Sequence, residues 1–120
     1  MKKILVTGGL GYIGSHTVVE LQKTGFEVVI IDDLSNSSKE ILSRITSITG
    51  IKPDFEEIDL KNKQAVEQFF KNYSIDGVIH FAASKAVGES VNEPLKYYEN
   101  NITTLTYVLK EMIANKVANF

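Results

Sequence analysis

Three glycines, Gly8, Gly11 and Gly14, recur at three-residue spacing directly after a short apolar run. Glycine has no Cβ, so a chain spaced this way can turn tightly at a strand end and let a diphosphate approach the free amides of a following helix. The pattern is G-x-x-G-x-x-G rather than the common G-x-G-x-x-G, and glycine spacing alone says little. Its setting carries the reading. An apolar strand precedes it, an amphipathic helix follows, and Asp32, 18 positions after Gly14, closes the next apolar run. A carboxylate at that place can accept hydrogen bonds from the adenosine ribose hydroxyls and repels a 2′-phosphate, which favours NAD over NADP. Asp33 adds a second negative charge with no arginine near either, although by itself it reads equally well as an ordinary loop acid. A P-loop is excluded, because no G-x-x-x-x-G-K-[ST] occurs.

The elements that must hold these residues follow from periodicity. Ile4-Leu5-Val6 is wholly apolar, as a strand buried on both faces of a parallel sheet should be. Ile13, Val18 and Leu21 predict a helix over Tyr12 to Thr24, with Gly25 where a left-handed cap belongs. Glu27 to Ile31 predicts a second strand ending at Asp32, and Ile41, Ile45 and Ile48 a second helix ended by Gly50. Phe55 to Asp59 reads as a third strand near a sheet edge. Val66, Phe69, Phe70 and Tyr73 mark a third helix behind an Asn62 cap. Gly77 to Ala83 is the fourth strand. Pro94 opens a long helix whose core stripe is expected to run Tyr98, Ile102, Leu105, Leu109, Met112, and Val117 to Phe120 reads as the start of a fifth strand. Strand and helix thus alternate as an α/β, Rossmann-type doubly wound parallel sheet ordered 3-2-1-4, incomplete at about four strands plus the start of a fifth. A strand begun and unfinished at Phe120 suggests that residues 1–120 are the front portion of a longer protein.

The chain of 120 residues has the length of one domain. Its net charge of −2 shows no basic footprint, so nucleic acid and anionic membrane are not expected partners. The absence of cysteine removes disulfides, zinc thiolates and thiol catalysis, and no metal site is expected. Met1-Lys2-Lys3 leads into four residues before the first glycine, too few for a signal peptide. No apolar run approaches the roughly 20 residues of a membrane span, which makes the cytoplasm the expected location. His16 and His80 lie on segments expected to pack and are given no catalytic role. Tyr97 and Tyr98 read as core or subunit interface. Lys85 is better placed for function, at the carboxyl end of a strand where ligands of such sheets gather.

The stretches Thr7 to His16 (TGGLGYIGSH), Asp32 to Ser37 (DDLSNS) and His80 to Val91 (HFAASKAVGESV) resemble the extended short-chain dehydrogenase/reductase family over the whole chain. The glycine motif is shared across that family's nucleotide-sugar epimerases and dehydratases. Lys85 to Val91, with Pro94-Leu95 and Tyr97-Tyr98-Glu99-Asn100-Asn101, is closer to its 4-epimerases. The resemblance implies Tyr12 and Ile13 against the diphosphate, Asp32, Asp33, Leu34, Ser35, Asn36 and Ser37 around the adenosine ribose, and Asp59 with Leu60 at the adenine. It also implies Phe81, Ala82, Ala83, Ser84 and Lys85 along the path to the nicotinamide ribose, with Asn100 reaching it from the long helix. Asp33 and Ala83 stand where many relatives carry asparagine and glycine, a change expected to alter the tightness of NAD binding.

By the same resemblance, the activity is interconversion of UDP-glucose and UDP-galactose in galactose metabolism. Hydride passes from C4 of the UDP-sugar to NAD, the 4-keto intermediate turns, and hydride returns to the other face. A homodimer paired through helices is also implied, and the long helix carries two apolar stripes, one through Tyr98 and Leu105 and one through Tyr97, Thr104 and Val108. The family's acid/base machinery is a Tyr-x-x-x-Lys pair with a nearby Ser or Thr, and it is not in this chain. Four residues after Tyr12, Tyr73, Tyr97, Tyr98 and Tyr107 stand His, Gly, Asn, Ile and Glu. That machinery and the sugar-binding domain are expected beyond Phe120, leaving this chain inactive alone. The alternatives are a free-standing nucleotide-binding module and a piece of another nucleotide-sugar epimerase or dehydratase.

Overall fold

The computed structural model describes residues 2–82 and 91–120. Four parallel strands, β1 (Lys3–Thr7), β2 (Glu27–Asp32), β3 (Asp54–Glu57) and β4 (Gly77–His80), form one sheet in the order β3-β2-β1-β4. The helices between and after them are α1 (Tyr12–Thr24), α2 (Glu40–Thr49), α3 (Lys63–Asn72) and α4 (Pro94–Ala114). This is the expected doubly wound arrangement, with the first strand inside the sheet.

Side chains of a strand alternate between its faces, and here each face meets a different pair of helices. Val6, Val28 and Ile30 pack with Val18 of α1 and Ile45 of α2. Leu5, Val29, Ile31 and Val78 pack with Val66, Phe69 and Phe70 of α3 and with Val108 and Met112 of α4. Each buried aliphatic or aromatic side chain contributes about 1.5–3 kcal/mol relative to exposure. That double burial is why β1 and β2 read as continuous apolar runs.

The caps fall where the sequence places them. Gly25 ends α1 in a left-handed conformation at φ 102°, and the Asn62 side chain accepts the Ala65 N–H at 3.2 Å to start α3. At the amino ends of the strands Lys3 gathers its neighbours. Its ammonium lies 3.1 Å from Asp54 and 4.0 Å from Glu27, and its N–H donates to Asp76 at 2.8 Å.

Four details differ from the sequence reading. β3 begins at Asp54 and ends at Glu57, because Asp59 starts a turn by accepting the Lys61 N–H at 2.9 Å. β4 ends at His80; beyond it the Phe81 N–H is shared between the carbonyl and the hydroxyl of Thr7, and the Ala82 N–H turns onto the hydroxyl. The stripe of α4 that faces the core is Thr104, Val108 and Met112, while Tyr98, Ile102 and Leu109 are exposed. With apolar residues on two faces, the helix seats the ridge whose smaller and β-branched members allow close approach to α3. The expected fifth strand is present as a single parallel bridge between Gly77 and Asn119, with Val78 N–H donating to the Asn119 carbonyl at 2.9 Å.

Candidate functional site

At the carboxyl edge of the sheet lies a cleft of about 810 Å³. Ligands of open parallel sheets bind there, where the order of the strands reverses, and the volume suits an elongated organic ligand.

The glycine turn makes its floor. Gly8 has φ +68°, and a Cβ on it would stand 2.8 Å from the Ala82 nitrogen, so both its backbone conformation and the nearness of the segment after β4 require glycine. Gly11 precedes α1, and no side chain caps that helix's first amides. Gly11, Tyr12 and Ile13 line the cleft at this uncapped helix start, the kind of place where an anion is favoured. Gly14 lies under the turn rather than in the cleft, where any Cβ would collide with the Gly8 carbonyl.

The loop after β2 makes the second wall. Asp32 is buried and largely engaged with its own chain. Its Oδ2 accepts the Leu10 N–H at 3.1 Å, and its Oδ1 accepts the Leu34 N–H at 2.9 Å and the Ser37 hydroxyl at 2.8 Å. Of the roughly four acceptor positions of a carboxylate, three are taken, which leaves one for an outside hydroxyl rather than two. Asp33 accepts the Ser35 N–H at 3.0 Å. Asp33, Ser35, Asn36 and Ser37 line the cleft. Leu34 does not; it adopts φ 63° and turns toward the core around Val6 and Ile45, pinning the loop.

Asp59 and the buried Leu60 form the far end, with Ile58 and Lys61 beside them. Phe81 and Ala82 close the opposite side, and Asn100 lines the cleft from α4. Ala83, Ser84 and Lys85 lie outside the described residues. The sequence reading passed over Ile31, Lys96, Asn101 and Thr104, which also line the cleft; the last three belong to an α4 face chosen by long-range packing.

Thr7 was missed as well. It is fully buried, and its Oγ1 lies 2.7 Å from His80 Nδ1, 3.1 Å from the Phe81 nitrogen and 3.2 Å from the Ala82 nitrogen. A hydroxyl residue closing an otherwise apolar strand just before a glycine turn was the available signal. His80 is half-buried and hydrogen-bonded, as expected, and burial lowers its pKa from 6.5. His16 is exposed instead of packed, with its ring edge-on to Tyr12 at 4.9 Å. Among the described residues no three His, Cys, Asp or Glu side chains group as a metal site. No described helix is long and apolar enough to cross a membrane.

The model of the NAD dependent epimerase/dehydratase family matches residues 4–120. The chain belongs to this family. The family's UDP-glucose 4-epimerase from Bacillus subtilis is 57% identical over 108 residues, covering 90% of this chain and 32% of that protein. The crystal structure of UDP-glucose 4-epimerase from Stenotrophomonas maltophila, with bound NAD and formylated UDP-arabinopyranose, matches with a TM-score of 0.92 at 44% identity, over 98% of this chain and 35% of that one. The enzyme from Bifidobacterium longum, in complex with NAD+ and UDP, matches with a TM-score of 0.93 at 41% identity, over 97% and 35%. The chain therefore spans about a third of the length of these family members.

Proposed function

We propose that residues 1–120 are the NAD-holding domain of a UDP-glucose 4-epimerase. The observation that carries this reading is that one cleft is lined both by the uncapped start of α1, with Gly8 and Gly11 before it, and by Asp32 at the end of β2. Such a pair of walls suits a dinucleotide: N–H groups for the diphosphate, a carboxylate for the ribose. Similarity above 50% to a UDP-glucose 4-epimerase supports the choice of enzyme.

In this reading the amides of Tyr12 and Ile13 hold the diphosphate, and Asp32 with Ser35, Asn36 and Ser37 holds the adenosine ribose. Asp33 adds negative charge against a 2′-phosphate. Asp59 and Leu60 border the adenine. Phe81, Ala82 and Asn100 lead to the nicotinamide end, together with Ala83, Ser84 and Lys85. NAD bound there would supply the acceptor for hydride from C4 of a UDP-sugar. The acid/base residues and the sugar pocket belong to the remaining two thirds of the whole enzyme, which acts in galactose metabolism in the cytoplasm as a homodimer.

Titration of the purified chain with both cofactors tests the reading: NAD is expected to bind at least about tenfold more tightly than NADP, a difference of about 1.4 kcal/mol. Equal or tighter NADP binding overturns it. Incubation with NAD and UDP-galactose is expected to give no UDP-glucose, since positioned proton transfer is worth about 10²–10⁴-fold and no group in residues 1–120 is assigned to it. Product at a rate proportional to chain concentration would place an acid/base pair inside this chain.

A further inference from the structure

Thr7 and His80 sit side by side in register on β1 and β4, and neither lines the cleft itself. A hydroxyl has one hydrogen to give and two lone pairs to fill. The Thr7 Oγ1 has three partners: the N–H groups of Phe81 and Ala82, which can only donate, and His80 Nδ1 at 2.7 Å. One assignment satisfies every group at once: both lone pairs receive amides, the hydroxyl hydrogen goes to Nδ1, and the imidazole carries its proton on Nε2, whereas an Nδ1–H would leave the hydroxyl hydrogen with no acceptor among these partners.

We propose that Thr7 and His80 are a positioning pair that sets the Phe81–Ala82 wall of the cleft, with His80 held as the neutral Nε2–H tautomer so that the Thr7 oxygen keeps both lone pairs for that wall. The two amides do not depend on it equally. The Phe81 N–H also has the Thr7 backbone carbonyl at 3.0 Å, whereas the Ala82 N–H relies on the side chain. Ala82 is also the residue whose nitrogen lies against Gly8, 2.8 Å from where a Cβ would stand. The hydroxyl therefore fixes the spacing between the glycine turn and the end of β4, and through it the width of the cleft where the diphosphate turn meets the nicotinamide path. A valine at position 7 would keep the shape and lose all three bonds. A serine would keep them.

The effect on NAD rests on the cofactor reading above, so the experiment has one arm that needs no ligand. In the unliganded chain, ¹⁵N spectra of the imidazole are expected to show Nε2 protonated and Nδ1 bare. Amide exchange at Ala82 is expected to speed up about tenfold or more in Thr7→Val, and to stay within about twofold of wild type in Thr7→Ser. NAD affinity is expected to fall about tenfold in Thr7→Val and in His80→Leu, and to recover in Thr7→Ser and in His80→Asn, whose amide oxygen can accept in place of Nδ1. A protonated Nδ1 in the wild type, or unchanged Ala82 exchange in Thr7→Val, overturns the proposal. Should Thr7→Val not fold, the wild-type tautomer and the His80→Leu and His80→Asn pair decide it. A chain with the expected tautomer and exchange pattern that binds no NAD overturns the cofactor reading and leaves the pair standing.

Discussion

The Oδ2 of Asp32 accepts the Leu10 N–H at 3.1 Å, tying the end of β2 to the glycine turn after β1. The residue expected to recognise a ribose is thus also a strut between two walls of the site. Asp32→Ala is therefore expected to cost stability as well as ligand selectivity. A buried N–H left unsatisfied at Leu10 should lower unfolding free energy by about 1–3 kcal/mol. Denaturant melts check the first effect, and cofactor titration well below the new midpoint checks the loss of NAD-over-NADP preference. Unchanged stability would mean that Leu10 finds another acceptor.

Gly14 and Gly25 separate crowding from backbone strain. A Cβ at Gly14 meets the Gly8 carbonyl, while one at Gly25 meets nothing within 4 Å but is held at φ +102°. Gly14→Ala should cost about 1–3 kcal/mol by overpacking and weaken NAD, because the turn must move to make room. Gly25→Ala should cost about 1–2 kcal/mol and leave NAD affinity unchanged. Thermal melts and titration of the two variants together give the comparison, and equal affinities in both would contradict it.

Burial lowers the His80 pKa from 6.5 in the folded chain. Below 6.5 the unfolded state takes up protons first, so this group's contribution is complete above that pH and is lost as pH falls toward the lower folded value. Melting temperature should drop between about pH 7.5 and 5, and drop less in His80→Asn. Parallel curves for the two proteins would exclude His80 as a source.

Tyr73 behaves in the opposite sense. Burial, the hydrogen bond its hydroxyl donates to Glu56 at 3.0 Å, and the charges of Glu56 and Asp54 raise its pKa from 10.0 to about 12. The unfolded chain loses this proton first, so the stability it lends is whole below pH 10.0 and fades as pH rises toward about 12. Phenolate absorbance should contain a late component that disappears in Tyr73→Phe. Its absence from the wild type would show the Glu56 bond to be unformed in solution.

What could be read from the residues alone was what local pattern controls. β1 and β2 are apolar throughout because helices cover both of their faces, and α1 is bounded by glycines whose geometry is local. The cleft residues after β1 and β2 came with them. The seated face of α4 was not readable in this way, because two stripes competed and packing against α3 chose between them. Thr7 needed the knowledge that His80 and Ala82 lie beside it, more than 70 positions away along the chain. The single free acceptor position on Asp32 depends on Leu10 and Ser37 folding back to the carboxylate, which no spacing rule expresses.

The cluster around Lys3 bears on how the protein can be handled. Lys3 binds Asp54 and Glu27 at the amino edge of the sheet, and the glycine turn opens at Gly8 on the other edge. Five strand residues of about 3.3 Å each put roughly 16 Å between them. A fluorophore or affinity tag joined ahead of Lys3 therefore begins on the side of the sheet away from the cleft. Surface ion pairs with exposed carboxylates such as these are worth about 0–1 kcal/mol each, so the attachment would disturb little even where it displaces one.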